Sequence, residues 1–142
     1  MPEMSPEELR AFLDRTWPAS LGTVATIRDD GSPHVVPVWY RFDGRAVHIW
    51  THHKRVWVTN LMHDNRVAFS VQEAQPPYAA VILRGRADVV TGEDEEISAE
   101  IRRITARYIA TPDVASYIQG WPELRTIVRI HPTATMSWTR GY

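Results

Sequence analysis

The chain has 142 residues, of which 44% are hydrophobic and 23% charged, so it can bury a core without disulfide or metal staples. Its 16 basic and 17 acidic residues give a formal net charge of -1, which argues against a general attraction to nucleic acid or anionic membranes. The absence of cysteine excludes disulfides, thiolate nucleophiles, zinc–cysteine sites and iron–sulfur clusters. A single domain over residues 1–142 is expected.

Neither end of the chain nor its interior predicts a membrane or export segment. No apolar run approaches the roughly 20 residues that span a bilayer. The first five residues are acidic and lack the apolar core of a signal peptide. The lack of cysteine fits a reducing compartment. We therefore expect a cytoplasmic protein with neither membrane nor nucleic acid as a partner.

The chain begins with a predicted helix. Ser5 and Glu8 match a capping box around Pro6, and the helix is expected to end at Pro18. From residue 20 the pattern becomes typical of strands, with β-branched residues and turn signals between the runs. Strands are predicted over residues 21–28, 34–42, 46–51, 66–72, 79–90, 124–130 and 133–139.

Three features indicate how these strands are arranged. Pro37 lacks a backbone N–H, so its strand must lie at an edge, a bulge or a barrel corner. The dipeptide Asp43-Gly44 is a strong hairpin signal. Gly85, inside a long strand, indicates a bulge or a close backbone approach.

Three further segments favour or permit helices. Residues 53–63 are ambiguous, because Val56 and Val58 favour a strand whereas Trp57 and Leu61 share a helical face. A second helix is expected to begin at residue 91 or 93 and to run to residue 108. A short one is expected from residue 111, ending at Gly120.

The predicted elements define a mainly β protein. Six or seven strands follow one another mostly in hairpin order, and helices flank the run. This pattern is typical of a small closed antiparallel barrel with helices packed outside it.

Several chemistries lack their sequence motifs. The chain has no GxGxxG, Walker A, GxSxG or HExxH pattern, which argues against Rossmann, P-loop, hydrolase and zincin readings. His48, His52 and His53 cluster, but the segment holds no carboxylate until Asp64. We therefore expect polar loop histidines and no metal site.

A local basic segment is more informative. Residues 51–55 follow an apolar strand and carry Lys54, the only lysine, beside Arg55. Positive charge next to free backbone N–H groups at a strand end binds phosphate well. The same residues also fit a solvated basic loop, and the pattern alone favours neither reading.

The chain is rich in tryptophan, with six residues. Most of them are expected to fill the core. Trp39, Trp50 and Trp57 are the ones we place near a binding site, with Trp138 available from a partner chain. Trp57 fits equally well as a core residue that packs with Leu61.

An ordered set of segments resembles a known family. The matching stretches, over about residues 5 to 140, are residues 34–44, 49–51, 60–61, 64–67, 77–78, 83–87 and 130–132 with Trp138. They resemble the pyridoxamine 5'-phosphate oxidase-like split β-barrel proteins, and most of all the actinobacterial branch that uses the deazaflavin coenzyme F-420. Other relatives bind FMN.

The resemblance implies a homodimer with two cofactor sites at the subunit interface. It implies that Pro37, Val38 and Trp39 line the flavin or deazaflavin ring. Trp50 and Thr51 would lie beside the ring and the ribityl chain, and the segment that starts at Lys54 would hold the phosphate. The predicted cofactor-binding residues are Pro37, Val38, Trp39, Trp50, Thr51, Lys54, Arg55, Trp57 and Asn60.

The chain departs from the family pattern at Val56-Trp57, where relatives commonly carry basic residues. FMN ends in a compact phosphate that needs dense positive charge, whereas the longer tail of F-420 suits scattered arginines. Such arginines are present in segments expected to border the cleft: Arg66, Arg84 and Arg86. Coenzyme F-420 is therefore the favoured cofactor, and FMN is the second.

The expected function is hydride transfer between the bound cofactor and a small conjugated or quinone-like substrate, because the cofactor carries this chemistry. No acid or base residue is assigned, and pyridoxamine phosphate oxidation itself is not expected. The alternative is a non-catalytic carrier or sensor for a flavin, a deazaflavin or haem. Turnover of an acceptor would separate the two.

Overall fold

The computed structural model describes residues 2–141 as one seven-stranded sheet with four α-helices and one 3-10 turn. Met1 and Tyr142, the ends of the expected domain, lie outside this range. The strands are β1 (Gly22–Ile27), β2 (Pro33–Val38), β3 (Arg41–Phe42), β4 (Val47–His52), β5 (Arg66–Gln72), β6 (Ala80–Thr91) and β7 (Arg125–Trp138). The helices are α1 (Pro6–Asp14), α2 (Val56–His63), α3 (Glu95–Thr105) and α4 (Val114–Gln119), with the 3-10 turn at Thr111–Asp113.

The sheet is antiparallel throughout, in the order β2-β1-β5-β6-β7-β4-β3. Its two edge strands, β2 and β3, are consecutive in the chain and joined only by Trp39 and Tyr40. Since this connection spans about 10 Å at most, the sheet must curl until its edges approach each other. The mainly β, split-barrel fold is confirmed.

The prediction of a fully closed barrel was wrong. No ladder joins β2 to β3 within residues 2–141, so residues 34–42 form two strands rather than one. The reason lies at Tyr40, whose backbone N–H and C=O bond to the side chains of Tyr108 and Arg107 instead of to a neighbouring strand.

The core fills the inside of the curled sheet. Tyr40 lies at its centre, edge-on to Phe69 at 5.1 Å between ring centroids, and its hydroxyl donates to the carbonyl of Leu13 at 2.7 Å. Helix α2 contributes Trp57 and Leu61 to this core. A second, smaller cluster lies between α3 and the outer face of the sheet; it consists of Ile97, Ile101 and Ile127, with Trp50, Val90 and Ile118 packed against it.

Local sequence signals are confirmed where they depend on neighbouring residues. Ser5 and Glu8 form both hydrogen bonds of the capping box, each at 3.1 Å. Pro37 lies on an edge strand, and the Asp43-Gly44 turn joins β3 to β4 with Gly44 at a φ of 98°. The pairing register shifts at Gly85, where a Cβ would overlap the carbonyl of His131.

Other boundaries differ from the predictions. Helix α1 ends at Asp14, before Pro18. Residues 53–63 resolve into helix α2, and α3 begins only after Asp94, whose side chain caps it. The two strands predicted over residues 124–130 and 133–139 form one strand, β7, in which Pro132 lies opposite Gly85 at the bulge, a position that tolerates proline. None of the helices in residues 2–141 is long and apolar enough to cross a membrane.

Candidate functional site

A cleft of about 320 Å³ opens beside the β2–β3 connection. It lies where the end of β2, the end of β4, the start of α2 and the segment from α4 to β7 meet. The lining residues are Val36, Pro37, Val38, Trp39, Trp50, Thr51, His52, Arg55, Trp57, Tyr117, Trp121, Glu123 and Arg125. Its size and its mixture of aromatic and cationic groups suit a planar ligand with an anionic tail.

One wall of the cleft is a row of aromatic rings. Trp39 stacks on Tyr108 with 4.8 Å between centroids and 5° between planes. It also contacts Tyr117 at 5.1 Å and 30°, and Tyr117 in turn lies 6.3 Å from Trp121. Such offset and tilted rings present a broad apolar surface that a flat conjugated group can cover.

The other aromatic contributions come from β4 and α2. Trp50 is half-buried and rests on the isoleucine cluster under α3. Trp57, in the first turn of α2, is only 3% exposed and belongs to the core as well as to the cleft lining. Packing within the fold therefore fixes the positions of both rings.

The cationic end of the cleft is Arg55. It immediately precedes α2, where no side chain caps the helix, so the first N–H groups of α2 keep their partial positive charge. The Arg55 side chain is exposed, and no ion pair among residues 2–141 includes it. An unpaired guanidinium beside a helix N-terminus is well suited to an anion.

His52 and Arg125 face each other in the register of β4 and β7. Burial and the nearby charge of Arg55 lower the pKa of His52, which favours the neutral form of this side chain. Arg125 donates to the carbonyls of Ile118 and Trp121 at 3.1 and 3.4 Å. It thus ties the end of α4 to the sheet and fixes the outer part of the aromatic wall.

Seven of the nine residues named from the sequence line this one cleft, namely Pro37, Val38, Trp39, Trp50, Thr51, Arg55 and Trp57. Lys54 is exposed and is not part of the lining. Asn60 is buried, and its amide donates to the Thr26 hydroxyl at 3.1 Å, which joins α2 to β1. The structure therefore brings Arg55, but neither Lys54 nor Asn60, to the cleft.

The dispersed arginines do not border the cleft, and that expectation was wrong. Arg66 pairs with Asp64 at 2.6 Å, and Arg86 donates to Asn65 at 2.9 Å. Arg84 and Arg86 lie in the middle of β6, several residues before the end of that strand next to the cleft. Strand direction, which local composition does not reveal, separates them from the site.

Sequence reasoning missed the contribution of the segment from α4 to β7. Tyr117, Trp121, Glu123 and Arg125 all line the cleft, together with His52 and Val36. The surplus of aromatic residues was the available signal, but it does not show which strands and helices come together.

The histidine cluster separates in the structure. His48 is buried under α3, with Nε2 2.7 Å from Asp43 and Nδ1 3.6 Å from Glu100, whereas His52 lines the cleft. His53 is exposed. Within residues 2–141, no three histidine or carboxylate side chains are arranged to hold a metal ion.

A family model described as pyridoxamine 5'-phosphate oxidase matches residues 5–139. Since the match covers nearly the whole chain, the chain belongs to this family, in agreement with the resemblance seen in its sequence. Among curated proteins, none matches the chain significantly.

Several solved structures are similar to the chain. The conserved hypothetical protein Rv2991 of Mycobacterium tuberculosis is 28% identical, with a TM-score of 0.74 over 95% of this chain and 84% of that chain. A structure named F-420 reductase is 27% identical, with a TM-score of 0.68 over 95% of this chain and 98% of that chain. An FAD binding protein of Mycobacterium smegmatis is 24% identical, with a TM-score of 0.66 over 97% of each chain. That last similarity bears on the fold alone.

Proposed function

We propose that the chain is an oxidoreductase that binds a deazaflavin or flavin in the cleft, with coenzyme F-420 favoured over FMN. Its substrate would be a small conjugated or quinone-like molecule. The observation that carries this proposal is a single cleft with aromatic rings along its wall and Arg55 at the uncapped start of α2.

The aromatic part of the cleft fits a flat ring system. Trp39, in the β2–β3 connection, and Trp50, on β4, both line the cleft, so a planar group can be stacked without rearranging the core. Pro37 and Val38 belong to an edge strand, which leaves part of its backbone N–H and C=O groups unpaired by the sheet. Those groups suit the polar edge of a flavin-like ring.

The cationic part of the cleft fits a phosphate. Arg55 supplies a forked set of donors, and the first turn of α2 adds backbone N–H groups and the positive end of its dipole. Arg125, the other arginine in the lining, donates instead to the backbone carbonyls of Ile118 and Trp121. Arg55 is therefore the residue to which we assign the anion.

Two observations favour F-420 over FMN. A terminal phosphate monoester carries close to two negative charges at neutral pH, whereas the phosphodiester of F-420 carries one. The structure places one arginine, without Lys54, at the start of α2. The protein named F-420 reductase, similar over nearly its whole length, supports the same choice.

When bound, the cofactor would supply the hydride chemistry. The protein's own residues bind and orient: the aromatic wall sets the plane of the ring, Arg55 anchors the tail, and Trp57 closes the floor against the core. Tyr117 and Trp121, at the outer end of the row, are placed to stack a planar substrate.

We also propose that the protein works as a homodimer. Apolar side chains remain exposed on the β2 edge and beside the cleft, including Val35 at 64%, Trp121 at 41% and Leu124 at 40%. A second copy would cover them and deepen the cleft. Light scattering at micromolar concentration should give twice the chain mass, and a monomer would contradict this part of the proposal.

The test is a titration of the purified protein with F-420, FMN and haem, followed by visible absorption, and then an assay with a quinone acceptor. We expect F-420 to bind most tightly and the reduced complex to turn over the acceptor. Tighter binding of FMN would overturn the choice of deazaflavin, and binding without turnover would indicate a carrier. No binding of any of the three would overturn the proposal.

A further inference from the structure

The peptide backbone at Tyr40 has unusual partners. Tyr40 lies between β2 and β3, where the chain leaves one edge of the sheet and starts the other, so no ladder bonds are available to it. Its N–H donates to the hydroxyl of Tyr108 at 3.2 Å, and its carbonyl accepts from the guanidinium of Arg107. Two consecutive residues just after α3 thus satisfy both polar groups of this one residue.

Arg107 is buried, at 8% exposed, and no carboxylate pairs with it among residues 2–141. Its charge is instead satisfied by backbone carbonyls, including those of Leu13 at 3.0 Å and Arg15 at 3.1 Å, and by the ring of Tyr40 at 4.5 Å. Burying a cation in this way is costly unless every donor is used. What the arrangement provides is a fixed position for the segments that it joins.

Tyr108 also fixes the conformation of the Trp39–Tyr40 connection. Its ring lies parallel to Trp39 at 4.8 Å, and its hydroxyl also donates to the carbonyl of Ser20 at 2.7 Å. The side chain therefore fixes the indole of Trp39 through its ring and the adjacent backbone of Tyr40 through its hydroxyl. Tyr117 also contacts Trp39, but its hydroxyl has no hydrogen-bond partner in the described part of the chain.

We propose that Arg107 and Tyr108 are positioning residues for the cleft. They hold the Trp39–Tyr40 connection in one conformation and thereby set the Trp39 ring in the wall that the cofactor is proposed to contact. The effect on cofactor binding rests on the proposed function, whereas the effect on the Trp39 conformation does not.

Fluorine NMR of protein labelled with 5-fluorotryptophan tests the conformational effect. The resonance that is lost in Trp39→Phe identifies Trp39. Tyr108→Phe keeps the stacked ring and removes the hydroxyl, so we expect the Trp39 resonance to shift and broaden while the other tryptophans keep their signals. Tyr117→Phe is the matched control, since it removes a hydroxyl without a hydrogen bond, and it should leave the Trp39 linewidth unchanged.

The second readout is the affinity for F-420. Tyr108→Phe should raise its dissociation constant by about three- to tenfold, because hydrogen bonds of modest net energy are lost and the wall loses preorganisation. Tyr78→Phe, which removes an exposed hydroxyl outside the cleft lining, is the control for affinity and should change the dissociation constant by less than about twofold. Arg107→Lys, which keeps the charge but loses the forked donor geometry, provides a second variant with the same expected direction.

Different results would overturn the positioning role and the proposed function. An unchanged Trp39 resonance in both Tyr108→Phe and Arg107→Lys, with only a lower melting temperature, would overturn the positioning role and leave a purely structural one. If the unmodified protein binds neither F-420 nor FMN, the proposed function fails, while the NMR measurement still decides the role of Arg107 and Tyr108.

Discussion

Ionisable side chains lie near both ends of strand β4, and they are paired at one end and unpaired at the other. Near the β3–β4 hairpin, an ion cluster of Arg41, Asp43, His48 and Glu100 is paired: Arg41 donates two bonds of 2.6 Å to Glu100, and His48 lies 2.7 Å from Asp43. At the cleft end, Arg55 has no ion pair among residues 2–141.

Helix α3 accounts for the difference. Over the hairpin it presents Glu100, whereas Ile97, about one turn earlier on the helix, belongs to the apolar cluster against which Trp50 packs. Burial alone would raise the pKa of Glu100, but the hydrogen bonds from Arg41 and the nearby His48 hold it below its usual value. Charges at the covered end thus hold the fold together, and charges at the open end remain available to a ligand.

The largest effect should come from breaking the covered end. Glu100→Gln leaves Arg41 without its carboxylate and should lower the free energy of unfolding by about 2–3 kcal/mol, somewhat less than for a fully buried pair. Glu96→Gln, an exposed partner of Arg129 on the same helix, is the control and should cost less than about 1 kcal/mol. Thermal unfolding measures both, and equal effects would contradict the comparison.

Acid should weaken the same end. The pKa values of Glu100 and Asp43 are both held below their ordinary values, against the effect of burial, by donors that include Arg41 for Glu100 and the Ala46 amide for Asp43. Their contribution is therefore complete above the unfolded pKa values, 4.5 for Glu100 and 3.8 for Asp43, and is lost as pH falls through the lower folded values. Melting temperatures from pH 7 to pH 3 should fall less steeply for Glu100→Gln than for the unmodified chain.

Arg55→Ala should weaken ligand binding at the cleft end of β4 without unfolding the protein. One charge-assisted contact to the phosphate is lost, so the dissociation constant for F-420 should rise by about tenfold or more. The adjacent Lys54→Ala is the matched control, because Lys54 does not line the cleft. Neither change should move the melting temperature by more than a degree or two, since exposed charges contribute little to folding. Equal effects of the two changes on affinity would place the anion elsewhere.

Raising the salt concentration should give the smallest effect, and it should weaken the interactions at the cleft end of β4 but not those near the β3–β4 hairpin. The Debye length falls from about 10 Å at 0.1 M to about 3 Å at 1 M, and exposed charges are screened far more than buried ones. Raising the salt over this range should weaken F-420 binding by about threefold through Arg55, while the difference in stability between Glu100→Gln and the unmodified chain persists. A salt effect of similar size on both would remove the distinction.

Which features could be predicted from the sequence depends on how far apart in the chain the interacting residues lie. The capping box at Ser5, the Asp43-Gly44 turn and the Gly85 bulge depend on near neighbours or on backbone freedom, and all were predicted. The break at Tyr40 was not, because its partners Arg107 and Tyr108 lie 67 and 68 positions away. Nothing local to Tyr40 indicates them.

The cleft shows the same division. Seven lining residues in or next to β2, β4 and α2 were named from the sequence, since they lie in adjoining stretches, whereas Val36 and His52 were not. Tyr117, Trp121 and Arg125 were missed, because their place depends on how α4 and β7 return to the end of β4. Arg66 and Arg86 were wrongly included for the same reason.

The most direct test of the account is a crystal structure of the protein with F-420. We expect the deazaflavin ring in the cleft against Trp39 and Trp50, with its phosphodiester within hydrogen-bonding distance of Arg55 and the first turn of α2. Crystals of the Arg55→Ala variant with F-420 should show weaker electron density for the tail of the cofactor. Density for the cofactor at another surface, or a phosphodiester held by Arg66 or Arg86 in place of Arg55, would contradict the assignment of the site.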